Sequence, residues 1–353
     1  MIDFTLKRTL IQNSRLSSVD FSNLPFGKIF SDHMFTVNYA NGAWQPAEIR
    51  PFGNLSLSPA TASLHYGQAI FEGMKAEKDP DGNVLLFRPQ DNIRRLNRSA
   101  KRLCMPELPE ELFMEGLKEL LALDKDWIPT QEGYSLYIRP FMFSTDPAVG
   151  VRPSETYEFI IFTCPVGPYY SGDVNVYMET HYSRACQGGV GEAKAAGNYA
   201  ASLYPAKLAK EKGYDQILWT DAKEHRFIQE IGTMNVFFII DGTAITPELD
   251  GNILKGITRD SIIKLLRDEG IKVEERPVSV HEIIDAHDNG LLQDCFGAGT
   301  AATITFIASL GYEGHLMQLP EASTRRISQR IKQRFINIKK GLEPDKFDWI
   351  VKL

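Results

Sequence analysis

A single lysine, Lys194, lies in a run of small residues at positions 186–199, where most neighbouring positions carry glycine or alanine. A surface lysine needs no such neighbours. A lysine that places its amine against a bulky planar cofactor does, because small side chains let the cofactor approach the backbone. In a partly desolvated site an amine loses its proton more readily, and its lone pair is then available for Schiff-base formation. A flexible glycine loop with an incidental lysine is the other interpretation of this segment.

Three further segments carry groups that could bind other parts of a cofactor held by this lysine. Residues 229–235 place the carboxylate of Glu230 in a small, polar turn. Residues 254–258 put a glycine and a hydroxyl at a helix start, and residues 296–302 form a Gly/Thr turn; both suit a phosphate. Taken singly, each is more often a tight turn or a helix cap. Together with Lys194 they match pyridoxal phosphate, which carries an aldehyde, a basic ring nitrogen and a phosphate.

Several motifs closely resemble those of the branched-chain amino-acid aminotransferases, which belong to fold type IV of the pyridoxal-phosphate enzymes. The resemblance is strongest at residues 191–199 (Gly-Glu-Ala-Lys-Ala-Ala-Gly-Asn-Tyr), 230–235 (Glu-Ile-Gly-Thr-Met-Asn) and 297–301 (Gly-Ala-Gly-Thr-Ala). It continues upstream, in order, through residues 26–34, 65–74, 86–89 and 135–140, so it covers most of the chain.

The resemblance implies specific roles for individual residues. Lys194 would form the Schiff base with pyridoxal 5'-phosphate and move the proton, Tyr199 would bond the cofactor's phenolic oxygen, and Glu230 would pair with its ring nitrogen. The phosphate would be held by Arg88, Arg184, Ile257, Thr258 and Thr300. The substrate α-carboxylate would lie near Thr233 and Ala301. The substrate side-chain pocket would be lined by Phe26, Tyr66, Phe71, Tyr137, Arg139, Val151 and Tyr169. No metal ion is implied.

The resemblance also implies a homodimer, because in the family the residues that match Tyr66 and Val151 reach the pocket from the partner chain. The implied fold is α+β (mixed α/β), with a smaller N-terminal α/β domain and a larger C-terminal domain that has a barrel-like β-core. We therefore expect a smaller domain at residues 1–165, an interdomain linker at 166–175 and a larger cofactor-binding domain at 176–353. The linker is placed where prolines and glycines are frequent.

The hydrophobic pattern predicts both helices and strands. Apolar residues recur at helical spacing over residues 91–103 and 111–123, and strand-like runs cover 133–143 and 157–164. Later strands follow one another across turns, which favours largely antiparallel pairing over a doubly wound sheet. The basic residues of the first helix are interpreted as a solvated face: Arg94, Arg95, Arg98, Lys101 and Arg102.

Composition excludes several classes of protein. The chain has 353 residues, of which 43% are hydrophobic and 24% charged, so most of it can form packed cores. A net charge of −6 argues against general nucleic-acid binding. No apolar run reaches the roughly 18–20 residues of a membrane helix, and the first ten residues lack the apolar stretch of a signal peptide. The expected compartment is the cytoplasm.

Cysteine usage agrees with a reducing compartment. The four cysteines are far apart in sequence, without a Cys-x-x-Cys pair, which argues against a disulfide framework and a structural zinc site. Some animal members of the family carry a Cys-x-x-Cys just after the Gly-Thr-Ala turn, whereas this chain has Ala302, Thr303, Ile304 and Thr305 there. We therefore expect activity that is indifferent to mild oxidation.

The function implied is reversible amino transfer between L-leucine, L-isoleucine or L-valine and 2-oxoglutarate. One alternative is another fold-type IV enzyme, a D-amino-acid aminotransferase or an aminodeoxychorismate lyase. Another is a non-catalytic ligand-binding relative, and a third is a cofactor-free Schiff-base lyase. The last would leave both phosphate segments unexplained.

Overall fold

The structure is a computed structural model that describes residues 6–169, 172 and 174–353. Contacts divide the described chain into two compact units. The first unit draws its residues from Met1–Tyr169, Ala193–Gly197 and Ile338–Leu353, and the second unit from Tyr170–Glu192 and Asn198–Asn337. Part of the predicted linker (170, 171 and 173) lies outside the described residues. The predicted domain boundaries stay a prediction.

The strands of the described chain range from two to ten residues. Up to residue 166 they are β1 (Leu6–Arg8), β2 (His33–Ala40), β3 (Ala43–Trp44), β4 (Ala47–Pro51), β5 (Ala69–Phe71), β6 (Met74–Lys78), β7 (Val84–Phe87), β8 (Ser135–Ser144) and β9 (Tyr157–Val166). Beyond it they are β10 (Val174–Met178), β11 (Gln216–Thr220), β12 (Ile228–Ile231), β13 (Met234–Ile240), β14 (Thr243–Thr246), β15 (Val273–Glu275), β16 (Leu292–Gly299), β17 (Thr303–Tyr312), β18 (His315–Gln318) and β19 (Ile350–Lys352).

Helices flank these strands. They are α1 (Ala62–Tyr66), α2 (Pro89–Arg102), α3 (Glu110–Leu123), α4 (Ala196–Ala201), α5 (Leu203–Glu211), α6 (Ile257–Asp268), α7 (Val280–Asp288) and α8 (Arg326–Lys339). Among the helices of the described residues, none combines the length and the apolar character needed to cross a bilayer.

The first unit is built on a sheet with the strand order β1-β4-β2-β9-β8-β6-β7-β19, with β3 beside β2 and β5 beside β8. Both helices predicted from apolar spacing are confirmed, as α2 and α3. They bury Leu96 and Leu117 in the core of this unit, because apolar residues at helical spacing share one face. Helix α2 begins at Pro89, since the first helical position does not need a backbone N–H.

The second unit contains a closed barrel. Its strand order is β12-β11-β10-β17-β16-β13-β14-β15, and β12 also pairs with β13. That extra pairing closes a ring of β12, β11, β10, β17, β16 and β13. Most pairs are antiparallel, although β10 runs parallel to both β11 and β17, and β14 runs parallel to β15. The predicted α+β class and its barrel-like β-core are therefore confirmed.

Candidate active site

Lys194 belongs to the first unit, where its backbone is held on both sides. Its N–H donates to Ser99 Oγ on α2 at 3.0 Å, and its carbonyl accepts from the Phe71 N–H at the end of β5 at 3.1 Å. The lysine Nζ lies 4.9 Å from the centre of the Phe71 ring. A helix and a strand thus fix the segment that carries the amine, against a ring predicted to line the substrate pocket.

A buried carboxylate next to Lys194 has no role among the sequence predictions. Glu72 accepts from Arg95 Nε at 2.7 Å and Nη2 at 2.8 Å, and from Asn92 Nδ2 at 2.8 Å. Burial raises the pKa of Glu72, but the charge and hydrogen bonds of Arg95, together with the positive charge of Lys194, outweigh it and leave the pKa below its usual value. Glu72 therefore stays ionised beside the amine.

This ion pair corrects the interpretation of α2 as carrying a wholly solvated basic face. Arg95 is buried, because it turns inward to Glu72, whereas Arg94, Arg98, Lys101 and Arg102 are exposed as predicted. The sequence does contain an indication of this ion pair. Glu72 is a charged residue inside the apolar Phe-Glu-Gly-Met stretch, and a buried charge needs a partner.

Three aromatic residues predicted to line the pocket meet in the first unit. The Phe26 ring centre lies 5.2 Å from that of Tyr137 and 5.0 Å from that of Tyr169, both in edge-on contact. A Cβ on Gly73 would lie 2.2 Å from the Tyr137 hydroxyl oxygen, so only glycine leaves room for this ring. We call Phe26, Tyr137 and Tyr169 the aromatic wall.

Arg139 adjoins this wall because it lies two residues after Tyr137 on β8, and alternate strand residues share a face. Its Nη2 donates to the Tyr137 hydroxyl at 3.2 Å, and its guanidinium lies 4.6 Å from the centre of the Phe71 ring. Its Nε is buried and has no hydrogen-bond partner in the described structure. A buried donor of this kind is costly unless a ligand satisfies it.

The other two predicted pocket residues do not join this group. Tyr66 ends α1 with 41% of its surface exposed, and Val151, in the loop between β8 and β9, is 90% exposed. A β-bridge from Thr61 to Pro147 holds these two segments together. The segments that carry Tyr66 and Val151 are therefore neighbours in the first unit.

Arg88 also lies in the first unit, at the start of α2. It adopts a left-handed backbone conformation with φ of 50°, which costs a non-glycine residue about 1–3 kcal/mol. Its N–H donates to the Trp349 carbonyl at 2.7 Å, and its Nε donates to Asp91 at 2.7 Å. These contacts hold the strained backbone of Arg88 in place and orient its guanidinium.

In the second unit, Glu230 is the centre of a buried polar cluster. Arg184 Nη2 lies 2.7 Å from one carboxylate oxygen, and Asn235 Nδ2 donates to the other at 3.0 Å. Glu230 and Asn235 are cross-strand partners on β12 and β13. The Arg184 guanidinium also donates to the Asn252 carbonyl, while its Nε is buried without a hydrogen-bond partner among the described residues.

The N-terminus of α6 adjoins the same cluster. Asn235 Nδ2 donates to the Leu254 carbonyl at 3.0 Å, just before the helix. A Cβ on Gly256 would lie 1.9 Å from Asn235 Oδ1, so the chain passes closer than any other residue type permits. Gly256 precedes Ile257 and Thr258, whose backbone N–H groups belong to the first turn and have no partner within the helix.

Two strand-connecting turns lie at this end of the barrel. Thr233 lies in the turn between β12 and β13, and Thr300 and Ala301 lie in the turn between β16 and β17. Because β13 pairs antiparallel with both β12 and β16, with Asn235 opposite Ala298, the two turns are neighbours. Tyr199 lies within α4.

Comparison with known proteins gives a consistent result. Residues 69–310 match the family model described as amino-transferase class IV. Two Bacillus subtilis (strain 168) proteins are similar over nearly the whole chain: "Branched-chain-amino-acid aminotransferase 2" is 44% identical, covering 97% of this chain and 95% of its own, and "Branched-chain-amino-acid transaminase 1" is 46% identical, covering 95% of each. The crystal structure of the Escherichia coli branched-chain amino acid aminotransferase superposes with a TM-score of 0.75 at 28% identity, covering 90% of this chain and 98% of that chain.

Proposed function

The chain belongs to the amino-transferase class IV family, and we propose that it transfers an amino group reversibly between L-leucine, L-isoleucine or L-valine and 2-oxoglutarate. It is an aminotransferase of fold type IV, of the branched-chain class. The observation that carries this assignment is the similarity to branched-chain enzymes across at least 94% of the chain, at 44–47% identity for several relatives. That similarity spans the motifs around Lys194 and Glu230.

Pyridoxal 5'-phosphate is the proposed cofactor, and the residues present suit it. Glu230 is a buried carboxylate, Arg184 has a buried Nε that lacks a hydrogen-bond partner in the described structure, and the first turn of α6 exposes N–H groups suited to a phosphate. Arg88 and Thr300 complete the proposed phosphate contacts, and Tyr199 the contact to the phenolic oxygen. When bound, the cofactor supplies an aldehyde for the amino group and a ring that withdraws electrons from Cα.

The proposal gives the protein's own groups distinct tasks. Lys194 removes the proton from the substrate Cα, which its backbone anchoring by α2 and β5 supports. Glu230 holds a proton on the cofactor's ring nitrogen, and its ion pair with Arg184 supports the ionised form that this task needs. Thr233 and Ala301, in neighbouring turns, are proposed to bind the substrate α-carboxylate.

The proposed substrate pocket accounts for two kinds of side chain. The aromatic wall, with Phe71, offers apolar surface to a branched aliphatic chain, each buried CH₂ contributing about 0.8 kcal/mol. Glutamate and 2-oxoglutarate carry a second carboxylate instead. Arg139, with a buried Nε that makes no hydrogen bond in the described structure, is the proposed partner for that carboxylate.

A homodimer is the proposed assembly, in the cytoplasm. Tyr66 and Val151 are exposed together with Leu64 (64%) and Val149 (73%), which gives one surface of the first unit an apolar character that favours burial by a partner. The four cysteines are free thiols, as a reducing compartment favours.

The proposed function is tested by the absorbance of the purified protein before and after addition of leucine. We expect a protein that absorbs in the visible range, responds to leucine, isoleucine and valine, and does not respond to their D-enantiomers. The Lys194→Ala variant should lose turnover by several orders of magnitude, since it lacks both a covalent group and a base. A colourless protein, a response to D-amino acids only, or near-normal turnover of the variant would each refute the assignment.

A further inference from the structure

Outside the residues assigned to transamination, the second unit brings together two histidines and an aspartate. His287 and Asp288 end α7, and His315 begins β18. Asp288 Oδ1 lies 3.1 Å from His287 Nδ1 and 3.4 Å from His315 Nε2, and one ligand atom from each residue lies within 4.8 Å of the others. The two histidine rings are nearly perpendicular, at 88°.

The two nitrogen–oxygen spacings match the coordination shell of a small divalent ion. Zinc binds imidazole nitrogen and carboxylate oxygen at about 2.0–2.2 Å, so two donors of a tetrahedral site are separated by about 3.4 Å. The two measured nitrogen–oxygen separations, 3.1 Å and 3.4 Å, are of that size. Three protein donors leave one position for water, and the partial exposure of all three residues gives water access to it.

The backbone that carries the cluster is anchored by hydrogen bonds. The His287 carbonyl accepts from the Gly290 N–H at 2.9 Å, and the preceding turn is closed by the Leu291 N–H on the Ala286 carbonyl at 2.8 Å. His315 pairs with Tyr312 in the β17–β18 hairpin. Helix and hairpin thus present their ligands from fixed positions.

The charge around Asp288 also favours a cation. Among the described residues, the ion-pair partners of its carboxylate are the two histidines, with no lysine or arginine in contact. No lysine or arginine of the described chain therefore competes with a metal ion for this carboxylate. We propose that His287, Asp288 and His315 form a binding site for one Zn²⁺ ion per chain, which links the end of α7 to the β17–β18 hairpin.

Zinc titration of the holoenzyme, after treatment with a chelator, tests this site directly. Calorimetry with ZnCl₂ is compared for the wild type, His287→Ala/His315→Ala, Asp288→Asn and the control His281→Ala. His281 is an exposed histidine at the other end of α7, so its loss changes histidine content without touching the cluster. Because the comparison is between variants, zinc bound by exposed Cys104 or Cys186 cancels.

We expect the double variant to bind one zinc ion fewer per chain than the wild type and the control. Asp288→Asn should bind the same ion about tenfold more weakly or worse. Unfolding temperatures measured without zinc establish that each variant is folded, and anomalous diffraction at the zinc edge should give a peak among the three side chains. Equal zinc stoichiometry and affinity in all four proteins, or a peak only elsewhere, would overturn the proposal.

Discussion

Glu72 and Arg95 show how a single buried charge determines what surrounds it. A carboxylate without solvent is stable only when paired, and Arg95 and Asn92 occupy both of its oxygens. The Arg95 carbonyl also accepts a hydrogen bond from the Ser99 hydroxyl. The Ser99 oxygen in turn accepts a hydrogen bond from the Lys194 N–H. The ion pair therefore supports both the charge near the amine and the backbone that carries it.

Glu72→Gln tests this positioning role. The amide keeps the shape but leaves Arg95 without its counter-charge, so we expect the free energy of unfolding to fall by about 3 kcal/mol. Turnover should fall by at least about tenfold with little change in the KM for leucine, because the lysine amine is displaced while the substrate pocket remains. Steady-state kinetics and urea unfolding measure both effects.

Glu77→Gln is the matched control for this variant. Glu77 is also buried, on neighbouring β6, and pairs with Lys339 Nζ at 2.5 Å. It should lose comparable stability and keep its turnover. Equal falls in turnover for both variants would mean that Glu72 acts only through stability.

The cysteines make a second residue-scale prediction. Burial raises the pKa of the Cys164 thiol to about 11, and burial, followed by the charge of Asp294, raises that of Cys295 well above its ordinary value. Neither forms the reactive thiolate near neutral pH. We expect mild peroxide to oxidise at most the exposed Cys104 and Cys186 and to leave transaminase activity largely unchanged. Inactivation that a dithiol reverses would contradict this.

At the scale of elements, the strand pairing of the barrel explains why residues far apart in sequence gather at one end. Strand β13 has β12 on one side and β16 on the other, so the turns after β12 and β16 become neighbours. Helix α6 is attached to that end by Asn235, which bonds Glu230 and the Leu254 carbonyl with one amide group. Glycine at position 256 is what permits this approach.

Gly256→Ala should therefore damage the proposed cofactor site. Because φ at this position is −67°, the backbone tolerates alanine, and the effect is purely steric. Asn235 must move away, so we expect a loss of about 1–3 kcal/mol of stability and a weaker affinity for pyridoxal phosphate. Equilibrium dialysis of the cofactor and urea unfolding measure the two effects.

Gly53→Ala serves as the control, since a Cβ there meets nothing within 4 Å and φ is not in the left-handed region. Unchanged cofactor affinity in Gly256→Ala would show that the N-terminus of α6 does not contribute to the phosphate site.

At the scale of the whole molecule, the exposed surface around Tyr66 and Val151 leads to a test of the proposed dimer. Lys194→Ala subunits lack the amine, and Tyr66→Ala subunits lack a pocket residue that the proposal places in the partner's site. Each parent should be nearly inactive. Mixed dimers should regain activity, because one of their two sites then combines an intact lysine with an intact Tyr66.

Subunit exchange must be shown independently in this experiment, for example by energy transfer between labelled chains. Exchange without any return of activity would mean that Tyr66 serves the site of its own subunit. Sedimentation velocity gives the assembly itself, and a monomer at assay concentrations would refute the dimer.

Local sequence patterns were enough to predict the features that depend on short segments. Helices α2 and α3 follow from apolar spacing, and the start of α6 follows from Gly256 and the pattern behind it, because these are properties of neighbouring residues. The family, the α+β class and the activity class could also be predicted from the sequence, because the motifs around Lys194 and Glu230 occur in order along the chain. The roles of individual site residues remain predictions.

Which distant residues meet could be seen only in the folded chain. Arg95 was interpreted as part of a solvated face, but it is buried because it pairs with Glu72, in the link between β5 and β6. The aromatic wall brings Phe26 against Tyr169, and the proposed zinc site brings His287 near His315, although these residues are far apart in the sequence. The physical reason is that periodicity specifies which face of an element is apolar, whereas strand order and barrel closure specify what that face, and any charge on it, will contact.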